Sequence, residues 1–384
     1  NMEKAAALWT AGASIDWSRL YPEGPPGRIP LPPYPLDPVS YWVTPTRQPA
    51  RGGEAKGMPL HPLVHRDAST VDERRFEAVF TGKDQFFQEH RVNGRMVLPG
   101  VAHLEMALAA GCAAMPERRI AGLKDVVWVR PIVVEDAPLR VFIRLRPRGG
   151  EVFFEIAPAD DGNRAIYSQG RFILDEEAEA VPPIHSLEAV SVIASRCPEI
   201  VAESAFREKI RARGFDAGPL FDVVREARRG EGEALSQLAM PKVDDNSGKW
   251  RLHPSILNGA VETVVLLMRE ELDSRPGAFL PFELRELRLG GAREHMPEES
   301  WAHVRRVGKD GGGDGDSGAF DVDLLDVSGK VLGRLNGFRL RRQRPGANPV
   351  ASLSNAPSPG GLSEDAPKLL LFEPVWTEAP LGAG

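Results

Sequence analysis

Cysteine is scarce. Two thiols in 384 residues, Cys112 and Cys197, are too few for a disulfide framework or a four-thiolate zinc site. Cys112 lies in an apolar stretch, where a free thiol behaves as a small hydrophobe, and both cysteines read as structural. A basic excess is missing too: 48 Lys and Arg against 54 Asp and Glu leave a formal charge of -6, which argues against a nucleic-acid partner. No apolar run approaches the roughly 20 residues that cross a bilayer. The first 20 residues lack the basic start, apolar middle and small-residue cleavage site of a signal peptide. The expectation is a cytoplasmic protein with no membrane partner. In Gly308 to Gly318 the one-three-five acidic spacing of a calcium loop is absent, so this stretch reads as a hairpin tip and no metal is invoked.

What is present is a composition of 42% hydrophobic and 27% charged residues, as in a globular protein of one large or two fused units. Residues 1–57 are rich in proline and aromatics, as in Pro30 to Pro35 and Tyr41-Trp42, and read as a linker. The end from Pro345 onward mixes Pro, Gly, Ala and Ser before an apolar patch at Leu369 to Val375, read as connecting chain with one docking strand. Between them, Gly100 to Met115 and Ile256 to Leu272 read as helices with little polar face, which must be buried. Strand-like runs follow each: Val126 to Val134, Leu139 to Leu145 and Val152 to Ala157, then Leu287 to Leu289, Trp301 to Val307 and Phe320 to Val327. A helix wrapped by an antiparallel sheet, occurring twice, covers both helices. The predicted fold class is α+β, with a less ordered join near Asp175 to Pro198.

Two segments carry candidate chemistry. In the first, His90 lies shortly before a turn at Gly94 and a Pro99-Gly100 pair that opens a buried helix. First-turn N–H groups are unpaired and partly positive, so the Gly100 amide is placed to hold a carbonyl oxygen as it becomes an enolate. In the second, Asn258 and Glu262 are one turn apart on one face of the second helix. Either that pair satisfies itself by a hydrogen bond, or the face meets His90 across a shared cavity; spacing alone leaves both open.

These residues carry a resemblance. The chain resembles a dehydratase domain of a modular polyketide synthase, a double hotdog, over nearly its full length. The family motif HxxxGxxxxP is matched by His90, Gly94 and Pro99. His61-Pro62-Leu63, Gly214 to Phe221 with Pro219 (for GYxYGPxF) and Leu280-Pro281-Phe282 (for LPFxW) are similar to further family blocks. Leu31 to Leu36 with Tyr41-Trp42 resembles the segment after an acyltransferase, and Phe372 to Trp376 the strand leaving the domain. The resemblance implies a linker over 1–57, hotdogs over 58–178 and 199–345 joined by 179–198, and a closing linker over 346–384. It also implies a substrate on the phosphopantetheine arm of an acyl carrier protein, no dissociable cofactor, neighbouring domains of the same synthase as partners, and a homodimer.

The departures decide the predicted reaction. Family dehydratases carry DxxxQ or DxxxH on the second helix, the Asp protonating the departing hydroxyl, whereas this chain has Asn258 and Glu262. Both tyrosines of GYxYGPxF are absent, replaced by Phe215 and Ala217. Water loss needs a base and an acid, and an amide cannot be that acid. Shifting a double bond from α,β to β,γ needs one base, so His90 with Asn258 is what a single-base enoyl isomerase would require. A known isomerase variant of the family with this change is what the resemblance implies. A buried Glu262 with a raised pKa could replace the missing acid from one turn away; the expectation is instead that donation from Asn258 favours its ionised form and that it orients Asn258, with Pro219 and Phe221 in support. An inert scaffold and a residual dehydratase or ring-closing variant remain the alternatives.

Overall fold

Each helix without a polar face needs apolar neighbours on all sides, and the chain supplies them as one curtain of strands. The computed structural model describes residues 2–16, 19, 24, 59–135, 137–159, 166–174, 188–242, 250–268, 278–290, 296–307 and 316–342. Asn1–Lys56 forms one unit, in which Met2–Thr10 is helical, and Gly57–Gly384 forms another. The proline-rich part of the first linker, the patch Leu369 to Val375, residues 175–187 of the join and Gly308 to Gly315 of the hairpin tip lie outside the described residues.

In the larger unit the strands of the first half are β1 (Arg66–Asp67), β2 (Arg74–Phe80), β3 (His90–Val92), β4 (Arg95–Met96), β5 (Ile120–Trp128), β6 (Leu139–Arg148), β7 (Glu151–Pro158) and β8 (Ser168–Leu174). Those of the second are β9 (Glu199–Val201), β10 (Phe215–Ala217), β11 (Val224–Arg229), β12 (Glu233–Ala239), β13 (Phe279–Leu289), β14 (Glu299–Val307), β15 (Asp316–Leu325) and β16 (Val331–Arg342). Thirteen of them form one antiparallel sheet in the order β1-β2-β6-β7-β8-β5-β13-β16-β15-β14-β12-β11-β9. The halves join where β5 pairs β13, with Leu123 opposite Leu287. A second link is the small sheet β10-β3-β4, in which Ala217 of the second half lies opposite His90 of the first.

The first central helix runs Ala102–Ala114, close to its predicted span, and buries nine residues around its circumference, His103 and Glu105 included. The second differs from expectation at both ends. It begins at Pro254, because His253 accepts from the Ser255 N–H through its side chain and Pro254 brings a helical φ. Its α-helical part stops at Glu262 and tightens into a 3-10 turn over Thr263–Leu267. Thr263 Oγ1 bonds back to the Gly259 carbonyl at 3.0 Å, and the β-branched run Thr263, Val264, Val265 crowds an α turn.

The strand predicted over Val126 to Val134 is a correction. β5 starts six residues earlier and ends at Trp128, where the Val129 and Arg130 N–H groups both turn to the Tyr167 carbonyl and Pro131 has no donor to offer. Val133 keeps a single bridge, to Val97. In the join, Val190–Arg196 is helical and packs Ile193 and Cys197 against Leu235, Leu325 and Val331 of the second half. Among the described residues no helix is long and apolar enough to cross a membrane.

Candidate active site

His90 occupies the first position of β3, in a hairpin turned by Asn93 (φ 50°) and Gly94 (φ 80°). Two successive left-handed residues are what a tight hairpin turn requires, and glycine takes the second at no steric cost. The hairpin returns the Val97 carbonyl to His90, whose Nδ1 lies 2.7 Å from it. A carbonyl only accepts, so Nδ1 carries the proton and Nε2 keeps its lone pair. The ring is 5% exposed, and burial lowers its pKa from 6.5 to about 4 against a smaller opposing pull from the Val97 carbonyl. The ring is neutral at pH 7.

The second half clamps this hairpin. Gly218 N–H donates to the Glu89 carbonyl at 2.8 Å, and Leu220 N–H donates to the Glu89 carboxylate. The turn containing Pro219 is thereby held, and the Phe221 ring lies 5.2 Å from the His90 ring, with Phe215 at 6.1 Å. Phe215 and Ala217, at the two positions where the resemblance implies tyrosines, thus leave this side of His90 without a phenol hydroxyl.

Pro99 and Gly100 open the first central helix through a tight turn, with Ala102 N–H donating to the Pro99 carbonyl and His103 N–H to that of Gly100. The Gly100 carbonyl also accepts from Trp128 Nε1 at 2.8 Å. Among the described residues the Gly100 N–H has no acceptor. Glycine is needed here for close approach: a Cβ would stand 2.8 Å from Pro281 Cγ, in the Leu280-Pro281-Phe282 block of the second half.

Asn258 and Glu262 face the same space from the second helix, with Asn258 Nδ2 donating to Glu262 Oε1 at 2.8 Å. The expected ionisation of Glu262 is overturned. Burial is the largest influence, it outweighs donation from Asn258, and the charge of Asp222 adds to it, so the carboxyl is pushed from 4.5 up to about 8. Glu262 is protonated at neutral pH.

One cavity of about 500 Å³ has His90, Gly100, Asn258 and Glu262 in its wall. Four candidates from the two halves therefore meet. Pro99, Gly94, Pro219 and Phe221 lie outside the wall, the first three shaping backbone and the last touching His90. Sequence reasoning missed His103, Trp128, Arg130 and Arg213, which also line the cavity. It missed as well the device that aims the second helix. Glu105, fully buried on the first helix, accepts from Arg251 N–H at 2.8 Å and Leu252 N–H at 2.9 Å, with His61 Nε2 at 3.3 Å. Among the described residues no group of three or more His, Cys, Asp or Glu is arranged to hold a metal ion.

Comparison with known proteins gives this geometry a family. The family described as polyketide synthase dehydratase domain matches residues 61–158, and that described as polyketide synthase dehydratase N-terminal domain matches 187–349. Polyketide synthase PksN of Bacillus subtilis is 34% identical over 91% of this chain, and PksM of the same organism 31% over 88%. The chain spans only 6% and 8% of their lengths. A crystal structure of a trans-AT PKS dehydratase domain from Brevibacillus brevis is 32% identical, with a TM-score of 0.66, covering 75% of this chain and 100% of that one. The dehydratase domain of RzxB from Pseudomonas fluorescens is 25% identical, with a TM-score of 0.63, over 74% and 99%. The chain therefore belongs to the polyketide synthase dehydratase family, as a dehydratase-like double hotdog domain of a modular synthase.

Proposed function

We propose that this domain moves the double bond of an enoyl thioester from the α,β to the β,γ position, with His90 as the base. The observation that carries the reading is a neutral imidazole with a free Nε2 in a cavity wall that also holds a carboxamide, Asn258, where family dehydratases have their acid. His90 Nε2 takes a proton from the γ-carbon. The released pair becomes the β,γ double bond, and the former α,β pair moves to form a dienolate. Its oxygen is held by the Gly100 N–H, which has no competing protein acceptor among the described residues. The imidazolium then returns the proton to the α-carbon, and the thioester carbonyl re-forms. Glu262, being protonated, places no negative charge beside the dienolate.

The substrate in this reading arrives on the phosphopantetheine arm of an acyl carrier protein, and no dissociable cofactor takes part. Neighbouring synthase domains, a homodimeric assembly, a cytoplasmic location and the domain limits given above belong to the same proposal. A second reading, dehydration of a 3-hydroxyacyl thioester, is favoured by one observation: a protonated Glu262 one turn from Asn258.

The test is incubation of a 2-enoyl acyl carrier protein with the domain in D₂O. Deuterium at the α-carbon and a 3-enoyl product are expected, and His90→Ala abolishes both, a loss of about 10²- to 10⁴-fold. A substrate left equally untouched by wild type and variant would mean an inert scaffold.

A further inference from the structure

One buried carboxylate links the two central helices. Glu105, on the first, is fully buried, and each of its oxygens is taken by a backbone donor of the second half: Arg251 N–H to Oε1 at 2.8 Å and Leu252 N–H to Oε2 at 2.9 Å. His61 stands beside it. Its Nδ1 accepts from Leu63 N–H at 3.1 Å, so Nε2 carries the ring proton, 3.3 Å from Glu105 Oε1 and off the line of a hydrogen bond. The His61 ring meets Trp250 edge-on with centroids 4.8 Å apart, and Trp250 lies 5.2 Å from His253 and 5.6 Å from Phe86. Phe86 leads on to Phe221 at 6.0 Å, whose ring is the one beside His90.

A carboxylate in an apolar core adds little stability over apolar packing of the same volume. Nor does the second helix need Glu105 in order to form: His253 caps it by accepting from Ser255 N–H, and Pro254 brings its first helical φ. The two donors that Glu105 takes come before that cap, so what the carboxylate fixes is where the helix starts. Asn258 and Glu262 follow on the same α-helix, Pro254–Glu262, and move with it as one body. On the other side, Glu105 shares its helix with the turn at Gly100, whose carbonyl accepts from His103 N–H. The spacing between the Gly100 amide and the Asn258 carboxamide therefore runs through two rigid helices and one pair of hydrogen bonds.

We propose that Glu105 is a positioning residue, which sets the second helix, and with it Asn258 and Glu262, against the Gly100 amide and His90 of the first half. Glu105 is not part of the cavity wall, so it acts through the helix it holds. The inference rests on the isomerase reading for the reaction that this placement serves, and on the hydrogen bonds alone for the placement.

The experiment compares the whole 384-residue chain with its Glu105→Gln and Glu105→Asp variants, by hydrogen exchange and by isomerisation of a 2-enoyl acyl carrier protein. A carboxamide has one oxygen for two backbone donors and turns its own N–H groups towards the other, whereas an aspartate keeps both oxygens but falls a methylene short. In Glu105→Gln the amides between 251 and 262 should exchange about tenfold faster while those of β13 to β16 keep their rates, and kcat should fall about 10- to 100-fold with KM held. Glu105→Asp should recover part of both, and decides the matter alone if the glutamine variant does not fold. Exchange raised equally in every element would overturn the proposal, by assigning Glu105 to folding. Unchanged exchange between 251 and 262 would overturn it too, as would full kcat in a variant whose exchange there is raised. A wild type that leaves the enoyl thioester untouched ends the isomerase reading, while the exchange pattern still tests the placement.

Discussion

Burial acts on the two halves of the cavity in opposite directions and with the same outcome. In the first half it drives a cation-forming group down, taking His90 from 6.5 to about 4. In the second it drives an anion-forming group up, taking Glu262 from 4.5 to about 8. Between those values both groups are uncharged. The cause is shared, since an enclosed and mainly apolar wall disfavours whichever form carries charge. The halves differ in what holds each group. His90 is fixed by a backbone carbonyl, so its tautomer and its free nitrogen are set by the hairpin. Glu262 is held by another side chain, Asn258, whose donation pulls against burial. The His90 ring is therefore fixed by the backbone, and the Glu262 carboxyl by a neighbouring side chain.

Two substitutions test that contrast. Gly100→Ala should have the larger effect. The added Cβ would stand 2.8 Å from Pro281 Cγ, so the helix start or the Pro281 bulge must shift. Isomerisation should fall by about 10- to 100-fold through displacement of the amide that meets the dienolate, and stability by about 1–3 kcal/mol. An unchanged rate with a stable fold would remove Gly100 from the mechanism. Glu262→Gln should act more gently on rate and more visibly on pH. Its folded-state pKa lies above the unfolded value, so the stability it contributes is present below about 4.5 and is lost as pH rises towards about 8. The variant should lack that decline, gaining on the order of a few kcal/mol at pH 8. Denaturant titration at pH 5 and pH 8 measures it, and equal pH dependence of wild type and variant would show Glu262 already ionised.

The site was legible in sequence where its parts are local. His90, Gly94, Pro99 and Gly100 fall within eleven residues, and their spacing places a histidine shortly before a helix start. Asn258 and Glu262 are one turn apart, and their hydrogen bond follows from helix geometry. The charge on Glu262 was not legible. It depends on enclosure and on the charge of Asp222, forty residues away in the sequence. His103 was hidden for another reason. On a helix apolar on every side, one histidine reads as core until the cavity beside it is known. Among strands, β16 was missed because its arginines, Asn336 and glycines interrupt the apolar residues, although Val331, Leu332, Leu335, Phe338 and Leu340 are all buried. The join of the halves through β5 and β13 is a long-range pairing with no local mark.

The central claim is that a neutral imidazole, with no acid at position 258, relocates a double bond without removing water. The most direct measurement offers the domain a 2-enoyl and a 3-hydroxyacyl thioester of equal chain length, on the same carrier protein, and follows both by NMR. The account predicts a growing 3-enoyl signal from the first and no change in the second. Loss of water from the 3-hydroxyacyl thioester, with the 2-enoyl thioester left as it was, would contradict it and make protonated Glu262 the acid of a dehydratase.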